Sequence, residues 1–427
     1  MFQFSVMAKR IIPVHATLIS VATIFLLLTI YHSQSFAIPA FARRYKTSCS
    51  SCHVIFPKLN HFGKAFKANG YRIPPKDEAF IKVPDVKLGD DEWKEVWPDG
   101  IWPGSINSIP PIALRIDGDL LIKPKAEISS DFEIPREIEI LAGGNAGDGF
   151  SYFLELAFEN DEIALERAFG QFDRILGTTL INIKVGRYEL AAVPFSRFSR
   201  RLTASDFITS EFKAIPGGFS FKDSQQGIEL WGAKSGTVNG GFKYGLGIVN
   251  GNGSGKDNNS AKDIYYRFSY KFGGFGVSGS KTEKVSKEFK QTNNWRDDSF
   301  SIGTFGYFGK GIVSEEENRF NRIGFDFDLS YYNLNLFGVF THGQEFSGST
   351  DEFSFNSYFI EADYVLFPWV VGIFRFENVS RPRQDIQRIV PAIVLAYRAN
   401  VRLVNETEIY LSESGDNLFR IRLDFLF

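Results

Sequence analysis

The sequence feature that most restricts the fold is a regular alternation of apolar and polar residues, which is clearest at the C-terminus. Residues 417–427 read NLFRIRLDFLF, so every second side chain from Phe419 to Phe427 is apolar. Successive side chains of a β-strand point to opposite faces, so this pattern predicts a strand with one apolar face. Comparable runs of about 9–12 residues recur along the chain, a length suited to single strands: YFLELAFEN, IYYRFSYKF, NRIGFDFDLSYY, FNSYFIEADYVLF and VRLVNETEIYLS.

The number and length of these runs predict a barrel. The chain contains 44 Phe and still has a mean hydropathy of -0.12, as expected when apolar and polar residues alternate finely. A tilted strand of this length crosses a bilayer, and the terminal aromatic Phe427 resembles the last strand of outer-membrane β-barrels. Residues 112–427 are therefore predicted to form an all-β transmembrane barrel of about 16 antiparallel strands, with about 14 or 18 as alternatives. A soluble or periplasmic array of β-sandwiches would give a similar alternation.

The connections between strands are predicted to alternate in length. Residues 269–277 and 330–336 have the composition of tight turns, whereas 250–263, 343–353 and 378–385 are polar segments typical of longer loops. About 17 runs can be counted, but a barrel with both ends on one side needs an even number. The pattern does not resolve this parity between residues 283 and 325.

Charged residues at alternate positions are predicted to line the barrel interior. Arg115, Asp117 and Asp119 alternate with apolar or small residues in the first predicted strand. The segment 194–207 lies between two predicted strands and carries three arginines, Arg197, Arg200 and Arg201. It is expected either to fold into the lumen and constrict it, or to form a solvated outer loop.

The N-terminus has the pattern of a secretory signal peptide over residues 1–37. Lys9 and Arg10 precede an apolar stretch, and small residues up to Ala37 suit signal peptidase. Cleavage there would leave a mature chain that begins at Ile38. An uncleaved membrane anchor is the alternative, although the apolar stretch is short for a spanning helix.

Residues 47–63, TSCSSCHVIFPKLNHFG, contain both cysteines of the chain. Cys49 and Cys52 would lie on one face of a helical turn, where both can form thioethers to the vinyl groups of a haem. His53 would then be the axial ligand of the haem iron. Export agrees with covalent haem attachment outside the cytoplasm. The alternative for two exported cysteines at this spacing is a small disulfide loop.

The residues after this motif predict a helix that covers the haem. Pro57 suits a helix start and Gly70 a helix end, and Leu59, Phe62 and Phe66 form one apolar stripe between them. Gly63 beside the stripe would permit a close backbone approach. The predicted haem contacts are the following: Phe56, Leu59, Phe62 and Phe66. An ordinary helix packed on the barrel mouth is the alternative.

The distal ligand of the iron is less well determined by the sequence. Met1 and Met7 are the two methionines and both lie in the leader, so the mature chain would offer no methionine ligand. His61 points about 160° away from the direction of Phe62 and Phe66, and His342 lies in a strand with its side chain towards lipid or the rim. His61 is retained as a candidate distal ligand. A five-coordinate iron, or a water, Lys or Asn ligand, is the alternative.

The domain organisation is predicted from these patterns. Residues 38–75 are predicted to form a small α-helical c-type cytochrome plug with one haem c, and residues 76–111 a Pro- and Trp-rich linker to the barrel. The net charge of -2 gives no broad basic signature, so no nucleic-acid partner is expected.

Residues 41–71, FARRYKTSCSSCHVIFPKLNHFGKAFKANGY, followed by a barrel ending in Phe, resemble a known family. It is the family of fused outer-membrane monohaem c-type cytochrome–porins of iron-oxidising bacteria. The resemblance implies a haem domain in or near the lumen and the transfer of single electrons across the outer membrane. The implied partners are membrane lipid, extracellular Fe(II) or another redox partner, and a periplasmic c-type cytochrome or other carrier.

The resemblance also implies a possible Fe(II) oxidase of the iron:cytochrome c reductase type. Two other functions are compatible with the residues. One is a solute porin whose haem has a structural or sensing role, and the other is a haem enzyme or ligand-binding protein that uses an open iron position.

Overall fold

The computed structural model places a small N-terminal segment and a large β-barrel in one unit. The predicted leader, residues 1–37, lies outside the described residues. Among the residues described, no helix is both long enough and apolar enough to span a membrane. The structure describes residues 40–73, 77, 80–90, 92–96, 98, 105–108, 110–147, 149–160, 162–237, 239–278, 293–313, 315–347, 351–380, 385–412 and 415–427.

The N-terminal segment consists of short elements. Strands β1 and β2 pair antiparallel, and so do β3 and β4. The elements before the barrel are α1 (Ala40–Tyr45), a 3₁₀ turn (Cys49–Ser51), β1 (His53–Ile55), β2 (Lys58–Leu59), α2 (His61–Ala68), β3 (Asp85–Lys87), α3 (Trp93–Val96) and β4 (Ser105–Asn107).

Sixteen strands of the described chain form a closed antiparallel barrel in which each strand pairs with the next. The last strand closes the barrel by pairing with the first, from Phe419 opposite Ile122 to Leu426 opposite Arg115. The strands are β5 (Ile112–Ile122), β6 (Ser130–Asn145), β7 (Phe150–Glu159), β8 (Glu162–Phe172), β9 (Asn182–Tyr188), β10 (Gln225–Ser235), β11 (Gly241–Val249), β12 (Asp263–Gly273), β13 (Ser299–Val313), β14 (Glu316–Tyr331), β15 (Leu334–Ser347), β16 (Asp351–Phe367), β17 (Val370–Ser380), β18 (Ile386–Arg398), β19 (Val401–Tyr410) and β20 (Leu418–Leu426).

The prediction of an all-β barrel of 16 strands is confirmed, and its first strand begins at Ile112 as expected. The uncertainty in the number of strands is resolved in part, because two barrel strands, β13 and β14, lie within residues 299–331. Residues 283–292 lie outside the described part of the chain. The short turn predicted at 330–336 is confirmed, since β14 ends at Tyr331 and β15 begins at Leu334.

Two predicted connections are wrong. Residues 269–277 do not form a tight turn, because β12 ends at Gly273 and the next barrel strand begins only at Ser299. The chain instead turns inward, and the buried Ser278 hydroxyl lies 2.8 Å from that of Ser235. Residues 343–353 are mostly strand rather than loop, because the β15–β16 ladder continues to Ser347 opposite Asp351.

The two faces of the barrel wall differ in polarity. On the outer face of the barrel, Phe325 and Phe374 are 61% and 52% exposed. On the inner face, Asp117 and Asp119 are each 1% exposed, and Arg422 donates to Asp119 at 2.7 Å. The predicted interior position of these charged residues of β5 is therefore confirmed, and each buried charge has a partner of opposite sign.

The connection between β9 and β10 lies inside the barrel. The backbone amides of Ala204 and Ser205 donate to the inward-facing Glu406 of β19 at 2.7 and 2.8 Å. Phe207 stacks on the buried Phe359 of β16 with ring centroids 4.5 Å apart. The predicted lumen position of this arginine-rich segment is thus the one observed. The whole β9–β10 connection, residues 189–224, is called the inner segment below and includes a short helix, α4 (Ile208–Glu211).

Arg375 of β17 holds this inner segment to the wall. Its guanidinium donates to Thr203 at 2.9 Å and to Ser205 at 2.7 Å, and it lies 3.4 Å from Glu361 and 3.3 Å from Glu377. The side chain is fully buried, with 0% exposure. Arg375 therefore faces two buried carboxylates, of which Glu377 also pairs with Arg388 at 2.6 Å, and it fixes the inner segment.

We expect Arg375→Met to destabilise the barrel by about 3–5 kcal/mol, the usual cost of leaving a buried charge without its partner. The measurement is the free energy of unfolding in denaturant. Unfolding is detected as the loss of the gel mobility that is typical of the folded barrel. Arg319→Met is the matched control, because Arg319 forms only a surface pair and is 69% exposed. Equal stability of the two variants would contradict the role given to Arg375.

The segment 40–73 also lies within the barrel and contacts walls that face each other across the lumen. Arg72 pairs with Asp173 at 3.1 Å, after the end of β8. Lys58 donates to Asn335 of β15 at 2.7 Å and forms an ion pair with Asp363 of β16. Tyr71 stacks on Phe153 of β7. This segment is called the plug below.

The predicted linker, residues 76–111, is described only in part. Its β3–β4 pair connects Asp85 to Asn107, and Arg44 of the plug donates to Asp85 at 3.0 Å. The side chains of the three linker tryptophans, Trp93, Trp97 and Trp102, lie outside the described part of the structure.

Candidate functional site

The two cysteines lie on one 3₁₀ turn. The amide of Cys52 donates to the carbonyl of Cys49 at 3.1 Å, and side chains three residues apart are eclipsed in such a turn. Both thiols therefore project in the same direction, as two thioether attachments to one macrocycle require. Neither cysteine forms a disulfide, and burial raises the pKa of Cys49 and raises that of Cys52 to about 12.

His53 follows the turn and is fixed in one orientation. Its Nδ1 lies 3.1 Å from the carbonyl oxygen of Pro57. A carbonyl only accepts, so the proton is on Nδ1 and the lone pair is on Nε2. Burial lowers the pKa of His53 to about 4, so the imidazole is neutral at neutral pH. A neutral imidazole whose other nitrogen donates to a carbonyl is the usual form of a histidine metal ligand.

Helix α2 begins later than the sequence predicted. Asn60, and not Pro57, precedes its first turn, and the Asn60 side chain accepts a hydrogen bond from the Gly63 amide at 2.8 Å. An Asn in this position satisfies a free amide of the helix start, whereas Pro57 belongs to the β1–β2 connection. The predicted end is confirmed, because Gly70 adopts a left-handed φ of 66° directly after the helix.

Gly63 brings α2 against the cysteine turn. A Cβ at this position would lie 2.1 Å from the carbonyl oxygen of Cys52, much closer than any real contact. The prediction that Gly63 permits a close backbone approach is therefore confirmed. The approach places the aromatic residues of α2 beside the cysteines.

We expect Gly63→Ala to separate α2 from the turn and to reduce haem incorporation several-fold, because overpacking here costs about 1–3 kcal/mol. Haem content per polypeptide is measured on gels by haem stain and protein stain. Lys64→Ala is the control, since the neighbouring Lys64 side chain is exposed and 3.4 Å from Asp328. Full haem content in Gly63→Ala would show that the close approach is dispensable.

An apolar cavity of about 220 Å³ lies between the plug and the barrel wall. Cys49, Cys52 and His53 all line it. The four residues predicted as haem contacts line the same cavity, namely Phe56, Leu59, Phe62 and Phe66. The structure thus brings together every residue of the predicted proximal site.

The sequence patterns do not indicate several of the residues that line this cavity. Phe41 stacks on Tyr71 with centroids 5.1 Å apart and meets the edge of Phe66 at 5.3 Å. Phe153 of β7 extends this aromatic wall. The only sequence signal for Phe41 was its place in the short segment before the cysteines, because its contacts depend on long-range folding.

The same cavity has a cationic side. Arg197 and Arg201 of the inner segment line it together with Arg115 and Arg402 of the wall. Arg197 pairs with Glu166 through one Nη, while its buried Nε has no hydrogen-bond partner in the described chain. Burial and then the neighbouring guanidinium groups lower the pKa of Arg201, although it also pairs with Asp206.

The residues that line this cavity are of the types that would hold a haem. Two thiols on one cavity, one neutral imidazole and an aromatic wall suit the apolar macrocycle and its iron. The cationic side suits the two carboxylates of its propionates, which would supply a partner to guanidinium groups of the cluster. Glu139 and Glu155 also line the cavity, but they pair with Arg115 and Arg167 respectively.

The other two histidines of the predicted mature chain lie elsewhere. His61 lines a separate polar cavity of about 370 Å³ and packs on Phe275, with ring centroids 5.0 Å apart. Its buried Nδ1 has no hydrogen-bond partner among the described residues. His342 bonds to Asn356 at 2.9 Å. The placement of His61 agrees with the helical-angle argument against it, and its role as distal ligand stays a prediction.

No cluster of three or more His, Cys, Asp or Glu side chains that could hold a metal ion occurs among the described residues.

Comparison with solved structures identifies the fold. An anion-selective porin from Comamonas acidovorans has a TM-score of 0.55 and 10% identity, with 74% of this chain and 98% of the porin covered. OmpF of Salmonella typhi, solved in complex with daunomycin, gives 0.52 and 10%, with 74% and 97% covered. The barrel has the porin fold. The outer-membrane protein OmpT of Vibrio cholerae gives 0.51 and 7%, with 74% and 98% covered.

Neither a protein-family model nor a curated protein matches this sequence. At identities of 10% or less, the structural likeness to these porins concerns the fold of the barrel alone.

Proposed function

We propose that this protein carries single electrons across the outer membrane through one haem c attached to Cys49 and Cys52. The electrons pass from extracellular Fe(II) to a periplasmic c-type cytochrome or a similar carrier. The observation that supports this most is the convergence of both thiols and the His53 imidazole on one apolar cavity inside a closed barrel.

Three features support a location in the outer membrane. The barrel has the porin fold, and OmpT of Vibrio cholerae, which has this fold, is an outer-membrane protein. Large apolar side chains such as Phe325 and Phe374 cover its outer face. Closed barrels satisfy every backbone group of their strands within the wall, as a bilayer demands.

A redox centre within the lumen suits this role physically. The apolar band of the membrane is an electrical insulator about 25–30 Å thick. A single redox centre at one surface would leave that whole distance to be crossed. A haem in the apolar cavity would divide that distance, because barrel strands line this cavity.

The haem would supply reversible one-electron chemistry at its iron. His53 would hold the iron through Nε2, while the Pro57 carbonyl fixes the imidazole ring at 3.1 Å. Phe62 and Phe66 would exclude water from the macrocycle, because both are buried in the plug. Arg197 and Arg201 line the same cavity and would donate hydrogen bonds to the propionates.

The absence of methionine from the predicted mature chain determines the expected spectrum. The ferric protein should lack the weak sulfur-to-iron band of Met-ligated cytochromes c. His53→Ala should change the Soret spectrum, because it removes the proximal nitrogen. His61→Ala should leave the spectrum unchanged, since His61 lines the other cavity. A change from low spin to high spin in His61→Ala would instead make His61 the distal ligand.

The test is electron transfer into sealed vesicles. Proteoliposomes carry the holoprotein in their bilayer and a redox dye inside, and Fe(II) is added to the outer solution. The proposal predicts reduction of the internal dye by wild type and only the protein-free rate with Cys49→Ala/Cys52→Ala. Equal rates for both proteins, or no reduction by haem-loaded wild type, would refute transmembrane electron transfer.

A solute porin with a structural haem is the second candidate. Its support is the porin fold together with the polar cavity of about 370 Å³ beside the plug. Planar-bilayer conductance separates the two proposals. Electron transfer needs no open channel, and the plug and the inner segment both occupy the lumen. A large conductance that is the same with and without haem would favour the porin.

A further inference from the structure

A polar cavity of about 280 Å³ lies on the other side of α2 from the cysteines, against the inner faces of strands β8 to β12. We call it the lysine cavity. Six cationic side chains line it, and only two carboxylates do. The cations are Lys64, Lys67, Arg167, Lys184, Lys243 and Arg267, and the carboxylates are Glu189 and Glu229.

Four of the six cations are neutralised by carboxylates. Lys184 pairs with Glu229 at 2.6 Å, and Arg267 binds Asp326 through two nitrogens at 2.8 and 2.9 Å. The other two pairs are Arg167 with Glu155 and the more exposed Lys64 with Asp328. Buried charges are expected to have partners of opposite sign, and these four cations have them.

Lys67 and Lys243 differ from these four paired cations. Within the part of the chain that the structure describes, neither forms an ion pair, although both side chains are half-buried. The remaining carboxylate, Glu189, accepts a hydrogen bond from Ser196 at 2.6 Å. Burial lowers the pKa of Lys67 to about 8, against the opposing influence of Glu189.

An ammonium group removed from water needs a counter-charge or hydrogen-bond acceptors. Lys67 approaches the lysine cavity from the plug and Lys243 approaches it from β11, so the two can contact one ligand between them. Ser269 of β12 adds a hydroxyl donor to the same lining. Lysine ammonium groups are common ligands of phosphate-like anions.

We propose that Lys67 and Lys243 bind a small oxyanion of the phosphate class in the lysine cavity. The bound anion neutralises both lysines and joins α2 of the plug to the barrel wall. Lys67 also lines the apolar cavity, whereas Lys243 lines only the polar side. Lys243 therefore distinguishes an anion in the lysine cavity from a haem propionate that reaches Lys67.

The probe is inorganic phosphate, titrated into the detergent-solubilised holoprotein in a calorimeter. Loss of one charge-assisted contact is expected to weaken phosphate binding about tenfold or more in Lys243→Gln and in Lys67→Gln. Lys243→Arg should retain most of the affinity, because it keeps the charge. Lys125→Gln is the control, since Lys125 is exposed and lies 3.8 Å from Asp416.

A second measurement needs no variant. Phosphate should raise the unfolding temperature of wild type, and the rise should grow with the logarithm of phosphate concentration above the dissociation constant. The proposal is wrong if wild type shows neither heat of binding nor this stabilisation, or if folded Lys243→Gln binds phosphate as tightly as wild type. Weakening in Lys67→Gln alone would assign Lys67 to the haem side and also overturn it. None of these results depends on electron transfer, so the proposed function would stand or fall separately.

Discussion

Replacing Cys49 and Cys52 together by alanine is expected to abolish covalent haem while the barrel still assembles. The two thiols are the predicted attachment points, and both face the apolar cavity. Denatured wild-type protein should retain a haem stain on a gel, and the double variant should show none. Barrel assembly is scored in parallel by the mobility difference between heated and unheated samples.

Ser50→Ala is the matched control for the cysteine pair. Ser50 lies between the cysteines on the same turn, is exposed, and uses its backbone carbonyl to accept from Asn294. Its alanine variant should therefore stain like wild type. A persistent stain in the double cysteine variant, or loss of the stain in Ser50→Ala alone, would show that the thiols are not the attachment points.

Deleting Phe427 is expected to reduce barrel assembly severely while export continues. The amide of Phe427 donates to the Leu114 carbonyl at 2.7 Å, and the Leu114 amide donates back at 3.0 Å. This pair lies at the seam where β20 meets β5. The Phe427 ring also stacks on Phe425 at 6.3 Å on the outer face. Removal therefore opens the seam at its end and exposes an unpaired edge.

Phe427→Asp should have a similar effect, since it places a charge where an apolar ring faces lipid. Phe427→Tyr keeps the aromatic ring and should assemble normally. The measurement is the fraction of heat-modifiable protein in the membrane pellet, compared with the exported total. Normal assembly of both the deletion and the Asp variant would contradict the closure of the barrel at this residue.

The barrel was predictable because its signal is local and repeated. Period-two alternation predicted the strands and the start at Ile112, and an even strand number selected 16 from about 17 runs. The connections were harder to predict. Residues 343–353 are rich in turn-forming residues, but pairing with β16 overrides that preference as far as Ser347. Gly273 and Gly274 do turn the chain, yet the residues after them enter the lumen instead of starting the next barrel strand.

The candidate site shows the same division between local and long-range information. Helical spacing placed Phe62 and Phe66 on one face, and the structure puts both on the apolar cavity. The helix start was misplaced because the side-chain cap of Asn60 outweighs the preference of Pro57. The aromatic and cationic walls were missed because Phe153 and Arg201 reach the cavity only after the barrel has closed.

The mass of the purified mature protein under denaturing conditions tests the covalent haem most directly. If Cys49 and Cys52 carry the haem, the mass equals the polypeptide from Ile38 plus one haem, and a proteolytic peptide that contains residues 49–53 carries the added mass. A mass equal to the bare polypeptide from Ile38 in haem-competent cells would contradict the cytochrome proposal.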